Sequence, residues 1–305
     1  MDIVIYSLED NEVRLKLFRL LCVNGYMGLH LLYDPEIRGL PARVACFMSG
    51  SGTNVTKIIK HQLNYCSLED DCPYNVVLIF SDVKDERMNK EGIKSCFAKD
   101  ISQSFKIPYA FNDIKDFYQS RGHRNTRNLS LRPDFDRKTL KMIDTYDIDI
   151  IALGGYMSIV TYPLLESFPG RIINVHPSDL SVREYGTRKY VGLHAVRDAI
   201  LAGEKYLYST THIVRKKVDQ GEILMRSKPV RVRIPDDVTL QELQRANNRF
   251  LLDIVIKENQ NRLKEKGDWI IFPKTLEMIA KGEFSSDDRG NIYVDKKLVR
   301  NGFRL

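Results

Sequence analysis

Short runs of apolar, largely β-branched residues recur along the chain at Arg43 to Met48, Asn75 to Phe80, Ile148 to Leu153 and Arg171 to Val175, with long amphipathic stretches between them. Unbroken apolar runs suit strands covered on both faces, and their alternation with helical periodicity is the signature of βαβ units around a parallel sheet. The predicted fold is therefore α/β: a Rossmann-like, open, mainly parallel sheet with helices on both faces. Beyond Gly192 the rhythm changes. Leu193 to Ala202 reads as a helix, Ser209 to Val214 and Glu222 to Val232 as strands, and Val238 to about Lys264 as one long helix. That order predicts antiparallel edge strands and a covering helix added to the parallel core.

Three segments follow from this pattern. Residues 1–42 form an N-terminal extension with a short strand candidate, Ile3 to Tyr6, and a helix candidate, Val13 to Val23. This extension is too small for an independent domain and is expected to serve as an added layer or an oligomer contact, as in a homodimer. Residues 43–265 carry the main domain, and residues 266–305 are a C-terminal extension packing on it. Arg121 to Arg132, rich in Arg, Asn and Ser, reads as a mobile loop.

Composition narrows the class without naming a function. At 305 residues, with 43% hydrophobic and 29% charged residues, the chain can bury a full core. No apolar stretch approaches the length of a membrane span, and the N-terminus carries Asp2, Glu9 and Asp10 where a secretory signal would carry basic residues, so a cytoplasmic enzyme with no membrane partner is expected. The five cysteines, Cys22, Cys46, Cys66, Cys72 and Cys96, make neither a CxxC pair nor a zinc-spaced array and are expected to be free thiols. A net charge of +7 suits an anionic ligand as well as it suits a plain solvated surface. No basic stripe interleaved with aromatics points to nucleic acid.

Chemistry concentrates at the strand ends. Ser49-Gly50-Ser51-Gly52-Thr53-Asn54 joins the first strand to a helix, where glycines let the backbone approach a ligand and free N–H groups attract an anion. A simple strand-to-helix turn would read the same way. Gly154-Gly155-Tyr156-Met157-Ser158-Ile159-Val160 could form a slot for a flat heterocycle or a turn leading into core. Asn174, His176 and Asp219 bring an amide, an imidazole and a carboxylate to the ends of strands, the groups that acyl-type transfer to an amine requires. His194 opens a helix where it could reach a substrate, and His212 reads as a packed or supporting residue. Asp179, Glu184 and Asp237 read as solvated carboxylates or helix caps.

Together the motifs SGSGTN, GGYMSIV, RIINVHPS, GLHAVRDAI and KKVDQGEIL resemble, in order and spacing, the folate-dependent formyltransferases, most closely the branch that formylates glycinamide ribonucleotide. The resemblance covers about Arg43 to Val232. It implies 10-formyltetrahydrofolate as donor, a small phosphorylated amine as acceptor, and no metal. It implies that Gly50, Ser51, Gly52, Thr53 and Asn54 hold the acceptor phosphate, that Tyr156, Met157, Ser158, Ile159, Val160 and Val214 line the pterin slot, and that Asn174, a protonated His176 and Asp219 carry the reaction. Three departures bear on the acceptor. Asp179-Leu180-Ser181 replaces the usual Leu-Leu-Pro and opens a longer loop, Ser158 stands where an arginine is common, and the nearest match to an acidic residue followed by His is Asn247-Asn248. Hydrolysis of formyltetrahydrofolate, sugar-nucleotide formylation and non-catalytic folate or nucleotide binding are the alternative readings.

Overall fold

The computed structural model describes residues 28–69, 72–89 and 91–305, and the Ile3 to Tyr6 and Val13 to Val23 expectations lie outside them. Eight strands form the main sheet: β1 (Ala42–Met48), β2 (Tyr74–Ser81), β3 (Tyr109–Phe111), β4 (Ile150–Leu153), β5 (Ile172–His176), β6 (Thr210–Ile213), β7 (Ile223–Arg226) and β8 (Phe303–Arg304). Their order is β8-β7-β6-β5-β4-β1-β2-β3. The strands from β3 to β5 are mutually parallel, β6 runs antiparallel to β5 and to β7, and β8 runs parallel to β7. The sheet is thus open and mixed with a parallel core, as the apolar runs predict; β1, β2, β4 and β5 lie within two residues of their expected bounds, and the short β3 has no counterpart among the expected strands.

Alternate residues of β1 serve opposite faces, as the pleat requires. Val44, Cys46 and Met48 pack under helices α1 (Thr53–Leu68) and α2 (Ala98–Phe105) and under a long C-terminal helix, whereas Ala45 and Phe47 pack under α3 (Arg132–Ile143) and α4 (Tyr162–Ser167). Chain order reverses at β1: the chain moves outward to β2 and β3, then returns to the other side for β4 and β5. A crevice opens at such a switch point, outside the carboxyl ends of β1 and β4.

The second half departs from expectation in three places. The predicted strand Glu222 to Val232 is two strands in different sheets, β7 and Val230–Arg231, with Pro229 between them, a residue that has no N–H to give a ladder. The predicted helix Val238 to Lys264 is interrupted. Leu240–Leu243 is closed by a Thr239/Glu242 capping box, Arg245 is extended, and helix begins again at Ala246–Asn248. After α5 (Ala195–Leu201) the next long helix, α6 (Arg249–Leu263), passes through a wider π-type turn, Lys264–Asp268, into α7 (Trp269–Ala280). His30–Leu31 pairs with Phe284–Ser286, so residues from both ends of the chain share a second, four-stranded sheet. The predicted mobile loop Arg121 to Arg132 ends in ordered structure, because Arg132 is buried and starts α3.

Two cysteines correct the expectation of free thiols. Cys66, in the last turn of α1, is bonded to Cys72 just before β2, with 4.8 Å between their Cα atoms. The spacing is no CxxC signature; the reversal of chain direction brings them together. Cys46 and Cys96 are free and buried.

The N-terminus of α1 depends on Gly52. Its φ is +65°, and a Cβ there would sit 2.3 Å from Ile101 Cδ1 and 2.6 Å from Met48 Cε. Gly52→Ala is therefore expected to cost about 1–3 kcal/mol through backbone strain and overpacking. Unchanged urea unfolding would contradict that packing.

Candidate active site

Strand geometry assembles the site. Asn174 and His176 are two residues apart on β5 and so share a face, while Ile173 and Val175 between them point into the core. Antiparallel pairing sets His212 of β6 directly opposite Asn174. A bulge in the β6/β7 pairing falls beside His212, and the loop after β6 then brings Asp219 back with a left-handed backbone, φ +54°. His212, expected as a packed or supporting residue, is buried and supports Asn174. Its Nδ1 lies 2.9 Å from the Ile213 carbonyl and therefore carries a hydrogen. In the neutral ring Nε2 accepts from the Asn174 amide at 3.1 Å, leaving the second amide hydrogen of Asn174 for a ligand.

Asp219 lies between both imidazoles. Oδ2 accepts from the Gly192 N–H at 2.7 Å and lies 3.6 Å from His176 Nδ1, while Oδ1 lies 3.5 Å from His212 Nε2. Burial alone would raise its carboxyl, but the two rings and the Gly192 N–H outweigh burial and hold it at about 2. His176 Nε2 donates to the Tyr190 carbonyl at 3.1 Å. Burial pulls the His176 pKa down despite Asp219, and His212 and Arg188 add to the lowering. With Nε2 donating to the Tyr190 carbonyl, His176 turns Nδ1 toward Asp219, where a proton on that nitrogen faces the carboxylate.

A cleft of about 630 Å³ runs past these groups. Gly50, Ser51, Gly52, Thr53 and Asn54 line it beside the first turn of α1, which has no side-chain cap. Tyr156, Met157, Ser158, Ile159, Val160 and Val214 also line it, as do Asn174, His176 and Asp219. The glycine expected to admit a ligand turns its missing Cβ toward Met48 and Ile101, so Gly52 shapes the loop by packing. His194 is exposed and lies outside the lining, to which its neighbours Gly192 and Leu193 contribute.

The two loops that flank the crevice are tied together from below. Ser49 Oγ donates to Asp82 Oδ1 at 2.5 Å and accepts from the Met157 N–H at 2.7 Å, while Ser158 Oγ donates to Asp82 Oδ2. Ser158, standing where related chains commonly have arginine, thus turns its hydroxyl into the scaffold. Asp179 is a second correction: it is half-buried and paired with Arg226 at 2.5 Å, not a solvated carboxylate.

Sequence reading missed the far wall. Gln260, Lys264 and Asp268 line the cleft beside Asn54, whose Nδ2 reaches Asp268 Oδ2 at 3.4 Å. Asp268 also accepts from Ser209 at 2.5 Å, and the π-type turn directs it inward. Asn248, by contrast, caps α6 and bonds the Glu242 carbonyl at 2.8 Å, away from the cleft lining. Asp268 is followed by an aromatic, Trp269, and an acidic residue just before the apolar start of a helix was the available signal.

The sequence profile described as Formyl transferase matches residues 42–252. The chain belongs to the formyl transferase family. It is 26% identical over 262 residues to phosphoribosylglycinamide formyltransferase of Haemophilus influenzae, an alignment covering 86% of this chain and 98% of that one. It is 25% identical to the trifunctional purine biosynthetic protein adenosine-3 of Gallus gallus over 90% of its own length, which is 22% of the larger protein. In fold it resembles the phosphoribosylglycinamide formyltransferase structure from Coxiella burnetii, with a TM-score of 0.58 at 22% identity over 87% of this chain and 99% of that one. Formyl transferase chemistry moves a one-carbon acyl unit, and the site holds an amide donor, an imidazole and a carboxylate within reach of one cleft.

Asp136 supports the floor under the slot, accepting from the Thr161 N–H at 2.6 Å and its hydroxyl at 2.5 Å. Burial pushes its carboxyl up to about 6, against the pull of Thr161 and Arg132. A raised carboxyl binds its proton more tightly in the folded state, so its contribution to stability falls as pH rises from about 4 to 6, by on the order of 3 kcal/mol. Asp136→Asn is expected to remove that slope from unfolding free energies measured between pH 4 and 7; an unaltered slope would contradict it.

Proposed function

We propose that this enzyme transfers the formyl group of 10-formyltetrahydrofolate to the amine of glycinamide ribonucleotide, a step of de novo purine biosynthesis. The observation that carries the reading is the set of groups that line one cleft: an uncapped helix N-terminus suited to a phosphate, the amide, imidazole and carboxylate of Asn174, His176 and Asp219, and the apolar segment Tyr156 to Val160 suited to a pterin. The near full-length match to the Haemophilus enzyme supports the same acceptor. Both substrates are small molecules, and the reaction is assigned to the cytoplasm.

The acceptor amine attacks the formyl carbon and the carbonyl electrons move to oxygen, where the free amide hydrogen of Asn174 stabilises the oxyanion. The nitrogen's proton passes to His176 Nδ1, and Asp219 stabilises the resulting imidazolium. Collapse re-forms the carbonyl and breaks the bond to the folate nitrogen, which takes up the proton. No metal enters these steps. Asp268 and Asn54 are positioned to bond ribose or amide groups of the acceptor, replacing the contact sought at Asn247-Asn248.

A spectrophotometric assay of formyltetrahydrofolate consumption with and without glycinamide ribonucleotide tests the reading. Turnover is expected to require the ribonucleotide, and His176→Ala or Asp219→Asn is expected to lower kcat about a hundredfold or more while both ligands still bind. Turnover with water alone would make the enzyme a hydrolase. Unimpaired variants would remove these residues from the mechanism.

A further inference from the structure

The loop from Asp179 to Gly192, which the sequence marks as unusually long, folds into a small hairpin, Arg183–Glu184 with Thr187–Arg188, turned by Tyr185 and Gly186 at φ +49° and +78°. The hairpin returns one residue to the site. Arg188 is buried outside the cleft lining, and its guanidinium forks across two backbone carbonyls, donating to Asp219 O at 2.5 Å and to Gly221 O at 2.8 Å.

We infer that Arg188 is a positioning residue for formyl transfer: it fixes the left-handed backbone of Asp219 so that the carboxylate stands between His176 and His212. The inference rests on the functional reading above. A left-handed backbone at a non-glycine residue such as Asp219 carries a modest cost, and its inward-turned carbonyl needs a donor. Gly221 allows that approach, because a Cβ there would lie 1.8 Å from the Ile213 carbonyl oxygen, which presses the loop flat against the end of β6. The same stretch supplies the other two restraints on the pair, since the Tyr190 carbonyl accepts from His176 and the Gly192 N–H holds the carboxylate. Backbone, carboxylate and imidazole are all held from one loop. The charges around them are few: Arg188 faces Asp219, Glu222 and Arg183, and His176 faces Asp219, His212 and Arg188.

Two variants of the full chain test the role. In Arg188→Ala, kcat is expected to fall about tenfold or more, with KM for donor and acceptor within about twofold and part of the loss restored by added methylguanidinium, because a displaced carboxylate affects the transition state and not ground-state binding. Arg188→Lys keeps the charge but cannot span both carbonyls, so it is expected to fall between wild type and Ala, and the ¹⁵N signals of the His176 ring are expected to move. A wild-type kcat in Arg188→Lys, an unmoved His176 signal, or a loss in Arg188→Ala that falls on KM and ignores methylguanidinium would overturn the inference. The ring signals need no substrate, so they decide it separately from the functional reading, whose own failure would be a wild-type chain with no ribonucleotide-dependent turnover.

Discussion

A single buried carboxylate sets the geometry of this site. Asp219 can stay ionised away from water only because it gathers compensation from His176, His212 and the Gly192 N–H, and each partner comes from a different element. His176 comes from a parallel strand, His212 from the antiparallel strand added beside it, and Gly192 from the loop between them. A slip of one residue between β5 and β6 would move His212 to the other face and leave the carboxylate without its second ring. The mixed character of the sheet, parallel in the middle and antiparallel at the edge, is therefore a condition of the chemistry.

Around that pair, loops of different chemistry border one crevice. The switch of strand order at β1 leaves space beyond β1 and β4, and the loops that border it differ in character. One begins α1 without a side-chain cap, and the other is an apolar segment tied down by hydroxyls on Asp82. Asp82 is buried, and burial pushes its carboxyl up against the hydrogen bonds of Ser158 and Ser49. It acts as a knot between loops on neighbouring strands.

Much of this was legible in the sequence, and what was not has a common cause. Strand runs and glycine turns are local patterns, so they announce the parallel core and the loops of the cleft, whereas Asn174, His176 and Asp219 are marked by the family motifs they resemble. Asp268, Arg188, His212 and the Cys66–Cys72 bond acquire their roles only through pairing between distant segments or through a reversal of chain direction. Asp268 is separated from Asn54 by most of the chain, and a π-type turn, invisible to a period of 3.6, directs it inward. Nothing local marks Arg188 as a side chain that will bond the backbone of a later loop. The single tryptophan, Trp269, follows Asp268 in the chain and lies under Lys57 at 4.6 Å.

The central proposal is that one cleft takes both substrates, the acceptor phosphate at the start of α1 and the pterin against Tyr156 to Val160. A crystal structure with glycinamide ribonucleotide and a non-reactive folate analogue bound together tests it most directly. The phosphate is expected on the N–H groups of Thr53 and Asn54, the pterin between Tyr156 and Val160, and the acceptor amine facing Asn174 and His176. A phosphate bound elsewhere, or a pterin outside that segment, would contradict the account.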